Sequence, residues 1–204
     1  QPIGKALFDC AQAKPGENFI DIGCGAGATT LSLAQQVGNI GLVIGVDISD
    51  ELISECRKRV IGAQLNNVSF LTGDAARIAL PKSMSDCLFS RFGVMFFKDA
   101  KQAFLHLRSS LKPGGRIAFS CWSALDHNLW MLSVRETISR YIDLPKLEPR
   151  APGPFAFAEK DFDLSVGGNR AQRAGIRHGP GPVLDSEARH RRQKADADDG
   201  RRRV

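Results

Sequence analysis

An apolar run that ends in closely spaced glycines, Phe19-Ile20-Asp21-Ile22-Gly23-Cys24-Gly25-Ala26-Gly27, restricts this chain more than any other feature. A helix-forming stretch follows at once, from Ala28 to Val37. A strand that turns directly into a helix sets the helix N-terminus, with its unpaired N–H groups, against whatever binds there. Glycine at the turn admits positive φ and lets a ligand lie on bare backbone. Alone, such a turn is a weak signal, so its surroundings decide its meaning.

Those surroundings are repetitive. Five short β-type runs alternate with helical ones, the pattern of a parallel sheet with helices on both faces. The strands read as Asn18–Ile22, Leu42–Asp47, Val68–Thr72, 85–90 and 116–121. Helices are expected at Ala28–Val37, 50–65 and 100–111, with others near 3–13 and 130–141. Gly38 and Pro113-Gly114-Gly115 are stop signals, and Ser49 or Asp50 can cap the second crossover helix. The expected fold is therefore α/β and Rossmann-like, with strand C-termini gathered on one edge where ligands bind.

Glycine spacing separates two nucleotide families. Dinucleotide enzymes favour G-x-G-x-x-G; here the third glycine, Gly27, comes one residue early and Ala28 takes the dinucleotide position. Asp47 closes the second strand, 20 residues past Gly27, where a carboxylate can accept from both hydroxyls of a ribose. Asp47 can otherwise be a helix-proximal cap. Asp74, in Gly73-Asp74-Ala75 after the third strand, is placed to accept from an adenine amino group, or else is a turn residue after Gly73.

Together these residues resemble a class I S-adenosylmethionine-dependent methyltransferase. The likeness runs through Asp21–Gly27, Asp47, Gly73-Asp74-Ala75, the strand around Asp86 to Arg91, and Leu111-Lys112-Pro113-Gly114-Gly115, in order over about the first 120 residues. Ser90-Arg91-Phe92-Gly93-Val94-Met95-Phe96-Phe97 and Ala151-Pro152-Gly153-Pro154-Phe155-Ala156-Phe157-Ala158 are similar to a bacterial subgroup of these enzymes whose acceptors are mostly unassigned. The resemblance implies S-adenosylmethionine as cofactor, with the turn of Asp21, Gly23, Cys24, Gly25 and Gly27 around its methionine part. Asp47 and Ile48 would hold the ribose side, and Asp74 and Ala75 would meet the adenine. Ser90, Arg91 and Phe92 would border the sulfonium and the acceptor's path. A sixth and seventh strand, antiparallel to each other, are expected by the resemblance, yet the family-like sequence stops near Asp163.

From Ser165 the chemistry changes. Residues 165–204 hold five Val, Ile or Leu, no aromatic residue and six glycines, too little apolar surface to offset ordering entropy. Of 28 basic and 22 acidic residues they carry ten and five, which leaves residues 1–164 with 18 and 17, nearly neutral. The net +6 thus belongs to the tail, which argues against a nucleic-acid face on the folded part. The expected organisation is a cofactor-binding domain over 1–164 and a disordered basic tail over 165–204. A reading-frame shift in a G+C-rich gene would give that tail and would leave the final strand pair missing and the fifth strand as an exposed apolar edge. Gln1 in place of Met reads as a trimmed or incomplete N-terminus.

No stretch approaches the roughly 18 consecutive apolar residues of a membrane span. Five cysteines without C-x-x-C or metal-ligand spacing read as free thiols of a reducing cytoplasm, with no metal site. His106 reads as a surface or packing residue. His127, beyond the fifth strand on the ligand edge, is a weak candidate for an acceptor-facing base, against a plain loop histidine. Trp122, Trp130 and Met95-Phe96-Phe97 can wall an apolar pocket or simply pack. The expected activity is methyl transfer to a small molecule. Its rivals are a catalytically impaired cofactor-binding remnant and a nicotinamide-dependent oxidoreductase.

Overall fold

The computed structural model describes residues 2–146, 148 and 150–158. Alternating apolar residues explain its sheet. In β1 (Asn18–Ile22), Phe19 faces one side while Ile20 and Ile22 face the other. β2 (Leu42–Asp47) repeats this with Val43 against Ile44 and Val46, and β4 (Ser85–Arg91) with Cys87 and Phe89 against Leu88. Successive side chains point to opposite faces, so such strands need cover on both. α1 (Pro2–Ala11) and α2 (Ala28–Val37) bring Leu7, Ala11, Leu33, Ala34 and Val37 onto the first face. α4 (Ala100–Arg108) brings Phe104 and Leu107 onto the second, joined there by Val94, Met95, Ala156 and Phe157. Each large side chain buried in this way contributes about 1.5–3 kcal/mol, so the middle of the sheet holds the fold.

Among the described residues the sheet has five strands, all parallel, in the order β3-β2-β1-β4-β5, with β3 at Val68–Thr72 and β5 at Leu111–Ser120. The chain leaves β1 for β2 and β3 on one side and returns to build β4 and β5 on the other. The loops after β1 and β4 therefore diverge, and the crevice between them is where sheets of this kind bind ligands. α3 (Asp50–Gly62) starts at Ser49, whose hydroxyl accepts the Leu52 N–H at 3.2 Å. α5 (Leu129–Ile138) contributes no buried side chain.

Several elements depart from the sequence reading: α1 stops at Ala11 rather than 13 and α5 at Ile138 rather than 141, and three others differ for a visible reason. β5 begins at Leu111, not 116, because Leu111 already pairs with Ser85; the backbone then bulges before Arg116 pairs with Cys87. α4 stops at Arg108 rather than 111, closed by the Ser109 N–H on the His106 carbonyl at 3.1 Å. α3 ends at Gly62 rather than 65, where the Ala63 N–H takes the Arg59 carbonyl at 2.9 Å. The disordered tail read over 165–204 and the boundary at 164 lie outside the described residues. Among the described residues no antiparallel pair follows β5, no helix is long and apolar enough to cross a membrane, and no His/Cys/Asp/Glu group could hold a metal. All five cysteines are free thiols.

Candidate functional site

The backbone leaves β1 through Gly23, Gly25 and Gly27, with φ of 66°, 56° and 81°, and enters α2. The N–H groups of Gly23 and Cys24 both donate to the Val46 carbonyl, at 2.8 and 3.1 Å, which ties the turn to the end of β2. The Gly25 N–H donates to Asp47 Oδ2 at 2.8 Å. A Cβ on Gly25 would meet nothing within 4 Å, so open space lies against this part of the turn. Gly27 caps α2 without a side chain. The first-turn N–H groups of Ala28, Thr29 and Thr30 have no helical acceptor, and the positive end of the helix lies at the turn.

Behind the turn sit two thiols. Cys56 of α3 donates to the Gly25 carbonyl at 3.1 Å, and Cys24 packs beside it with Ile53 and Phe70. Burial pushes both thiols up, so both stay protonated. Cys24 therefore serves as the rear wall of the turn.

Asp47 does not cap α3, since Ser49 does. Its Oδ1 accepts the Ser49 N–H at 3.0 Å and its Oδ2 the Gly25 N–H. Each oxygen keeps a second acceptor site. Ile48, next in the chain, is 76% exposed. The Gly73 N–H donates to the Asp47 carbonyl at 2.8 Å, which sets Asp74 beside it. Asp74 Oδ1 accepts the Ala76 N–H at 2.9 Å while Oδ2 is 3.9 Å from Arg77, so Asp74 is a turn residue with acceptor capacity to spare. Ala75 is buried against the second-face core.

Asp21 is wholly buried. Its Oδ2 accepts the hydroxyls of Thr29 and Thr30, each at 2.7 Å, which pins the first turn of α2 to β1. Its Oδ1 has no partner among the described residues. Burial pushes the carboxyl up to about 6; the Thr30 and Thr29 hydroxyls and the Arg91 charge oppose this, and Asp47 adds to it. A folded-state value above the ordinary 3.8 favours the protonated native form. The associated stability is complete below pH 3.8 and is lost as pH rises through 6. The loss over the whole range is about 3 kcal/mol, of which about 1.3 kcal/mol falls between pH 5 and 7. Melting temperature of the ligand-free protein should accordingly fall between pH 5 and 7, and Asp21→Asn should flatten that slope. Glu17, held down by Arg116, acts in the opposite sense but below this window. Equal slopes in both proteins would discard burial of Asp21 as the cause.

Across the crevice, the Ser90 hydroxyl donates to the Ile22 carbonyl at 2.8 Å and accepts the Gly93 N–H at 3.1 Å. This joins the ends of β1 and β4 and brings Gly93 against Gly23; a Cβ on Gly23 would lie 2.8 Å from Gly93 Cα. Phe92 between them has φ of 65°, a conformation costing a non-glycine residue roughly 1–2 kcal/mol. Its N–H on the Ser120 carbonyl at 3.1 Å and its ring on Trp122, at 4.6 Å between centroids and 12° between planes, hold it there. Trp130 meets Trp122 edge-on at 5.7 Å and remains 58% exposed. Aromatic rings thus line the way out from the end of β4.

Sequence reasoning missed Gly93 and Cys56. Gly93 carries the weak signal of a glycine just past a strand; Cys56 carries none, because its contact spans 31 residues. His127 lies exposed in a 3-10 turn (Leu125–His127), 4.0 Å from Asp126, and among the described residues no hydrogen bond links its ring to the crevice. His106 bonds the Ile78 carbonyl at 2.8 Å, a packing role.

A parallel sheet whose strand order reverses beside a glycine turn, with an acidic residue closing the second strand, defines a nucleotide-type cofactor-binding domain. The sequence profile of the ubiE/COQ5 methyltransferase family matches residues 4–139, and the chain belongs to that family. It is 37% identical over 119 residues to aklanonic acid methyltransferase DauC of Streptomyces sp. (strain C5), covering 58% of this chain and 54% of the relative. Demethylmenaquinone methyltransferase of Listeria monocytogenes serotype 4a (strain HCC23) is 30% identical over 114 residues, 56% of this chain and 48% of the relative. The chain spans about half the length of these curated relatives. A solved SAM-dependent methyltransferase from Aquifex aeolicus aligns with a TM-score of 0.55 at 25% identity, covering 59% of this chain and 64% of that one. The [4+2]-cyclase SpnF shares the fold with a TM-score of 0.53 at 20% identity over 58% of this chain and 43% of its own. A fold that also serves a cyclase leaves the reaction to be argued from the site.

Proposed function

We propose that the chain binds S-adenosylmethionine in the crevice between β1 and β4 and directs its methyl group to a small, apolar acceptor. The observation that carries this reading is Asp47: it grips the glycine turn through the Gly25 N–H at 2.8 Å and still has an acceptor site on each oxygen. A ribose at Asp47 would therefore lie one hydrogen bond from the turn that takes the rest of the ligand. Open space at Gly25 and the partnerless Asp21 Oδ1 also fit this cofactor, which has a bare chain and a cationic end. Asp74, Ala75 and exposed Ile48 would frame the adenine.

When bound, the sulfonium supplies an already activated methyl group, so the protein's part is alignment. Phe92, Trp122 and Trp130 would orient a flat apolar acceptor and keep water from the transferring carbon. Two of the relatives are named for aklanonic acid and demethylmenaquinone, which supports a small-molecule acceptor. Exposed His127 is a poor candidate for proton removal, so an acceptor that ionises by itself fits best. The reading takes residues 1–164 as the functional domain and a cytoplasmic setting, supported by five free thiols.

Calorimetry with S-adenosylmethionine, S-adenosylhomocysteine and NAD tests the proposal. The first two should bind and NAD should not. Asp47→Ala should weaken S-adenosylhomocysteine binding by about 1.5–3 kcal/mol, the worth of charge-assisted bonds to the ribose. Binding of NAD in their place, or full affinity in a folded Asp47→Ala variant, would sink the reading. Binding without transfer to any flat acceptor would identify a cofactor-binding remnant.

A further inference from the structure

Links between parallel strands are usually helical. Among the described residues the connection from β3 to β4, over 73–84, has no helix. Cover on the second face is thin there, and Ile44, Ser69, Leu71, Ala79, Leu80 and Pro81 line an apolar groove of about 450 Å³ between the connection and the sheet. The first part of the connection is a closed turn. The N–H groups of Arg77 and Ile78 donate to the Asp74 carbonyl at 2.9 and 2.8 Å, and the Ala76 N–H donates to Asp74 Oδ1 at 2.9 Å. Ile78 Cδ1 lies 3.0 Å from where a Gly73 Cβ would stand, so the two ends of the turn touch. Such a turn moves as one body, and its attachments decide where Asp74 points. One attachment is the Gly73 N–H on the Asp47 carbonyl at 2.8 Å. Another comes from α4, where half-buried His106 sets Nε2 2.8 Å from the Ile78 carbonyl, 28 residues earlier in the chain. A carbonyl only accepts, so Nε2 carries the proton and donates it.

We infer that His106 is a positioning residue for adenine recognition: it braces the turn so that the free acceptor sites of Asp74 face the adenine amino group. The inference rests on the cofactor reading above and gives a role within it to a residue that acts only through Ile78. Without the brace the turn keeps its internal bonds and its tie to Asp47, yet its far end is free to sink into the groove, whose largely apolar lining does not hold a carbonyl back. Arg77 does not replace the brace, because it is itself part of the turn and stands 3.9 Å from Asp74. Sinking would draw Asp74 from the purine and leave the Gly25 N–H on Asp47 Oδ2 as it was. The expected loss is therefore confined to the amino group and spares the ribose.

The test compares S-adenosylhomocysteine with its 6-deamino analogue, in which hydrogen replaces the adenine amino group, by calorimetry on the full chain. Wild type should prefer the parent compound. His106→Phe, which keeps a ring but no donor, should lose about three- to tenfold in affinity for S-adenosylhomocysteine, the worth of one hydrogen bond, and nothing for the analogue. His106→Gln, whose amide can again donate to the Ile78 carbonyl, should restore the preference. In the ligand-free protein, hydrogen exchange at the Arg77 and Ile78 N–H groups should quicken in His106→Phe and recover in His106→Gln. If circular dichroism shows His106→Phe unfolded, His106→Asn, too short to reach the carbonyl, carries the comparison. Equal losses for both ligands, as a purely structural role would give, or no loss for either, would overturn the inference and leave the cofactor reading intact. Unchanged exchange, or a wild-type chain that binds the two ligands equally, would do the same. A wild-type chain that binds neither would overturn both.

Discussion

Gly93→Ala is expected to lower the melting temperature by roughly 5–15 °C, for a single added methyl group. The backbone at Gly93 is ordinary, φ −85° and ψ −38°, so alanine meets no conformational obstacle. The obstacle is space. A Cβ there would stand 2.5 Å from the Ile22 carbonyl oxygen, 2.9 Å from Gly23 Cα and 2.9 Å from Ser90 Oγ. Two of those atoms are backbone and cannot swing aside, so the ends of β1 and β4 must separate. Overpacking of this kind costs about 2–4 kcal/mol. Separation also moves Gly23 and stretches the Ser90 bridge, so affinity for S-adenosylhomocysteine should drop with stability. Scanning fluorimetry and calorimetry would read both. A variant that melts like wild type would show that the two loops do not touch.

Gly25→Val should give the opposite division of effects. Nothing lies within 4 Å of a Cβ at Gly25, so the fold suffers only from the positive φ of 56°. That strain is about 1–2 kcal/mol, somewhat more for a β-branched residue. The side chain would, however, fill the space open to the ligand, and binding should fall by about a hundredfold or more, the effect of one buried clash. Gly25→Ala should lie between. The contrast is the useful part: stability lost at Gly93 and binding lost at Gly25 would separate a joint from a cradle. Normal S-adenosylhomocysteine binding by a folded Gly25→Val variant would mean the ligand lies elsewhere.

Most of the sheet was legible because its cause is local. Phe19, Ile20 and Ile22, or Val43, Ile44 and Val46, alternate within their own strands, and Gly38 ends α2 where a glycine should. The start of β5 was not legible: Pro113-Gly114-Gly115 read as a turn before the strand, whereas Leu111 is held in the ladder by Ser85, a partner 26 residues earlier. The same division runs through the site. Asp47 and the glycine turn follow from spacing along the chain. Gly93 matters because a distant backbone comes close, Cys56 because α3 folds over the turn, and Phe92 because Trp122 and Ser120 hold a strained backbone. Gly93 leaves only the weak mark of a glycine past a strand and Cys56 leaves none, while Phe92 is reached from the sequence through the family resemblance and not through its strained backbone.

The aromatic rings beyond β4 carry an experimental consequence. The chain has two tryptophans and one tyrosine, and both tryptophans stand in that row, Trp122 against Phe92 and Trp130 at its exposed end. Excitation at the red edge of indole absorption would therefore collect light from this one place, with no background from the rest of the molecule. A quinone-like or polyaromatic compound settling there would quench the emission, and a nucleoside confined to the Asp47 side would leave it nearly unchanged. Candidate acceptors could thus be ranked by unlabelled titration before any turnover is detected.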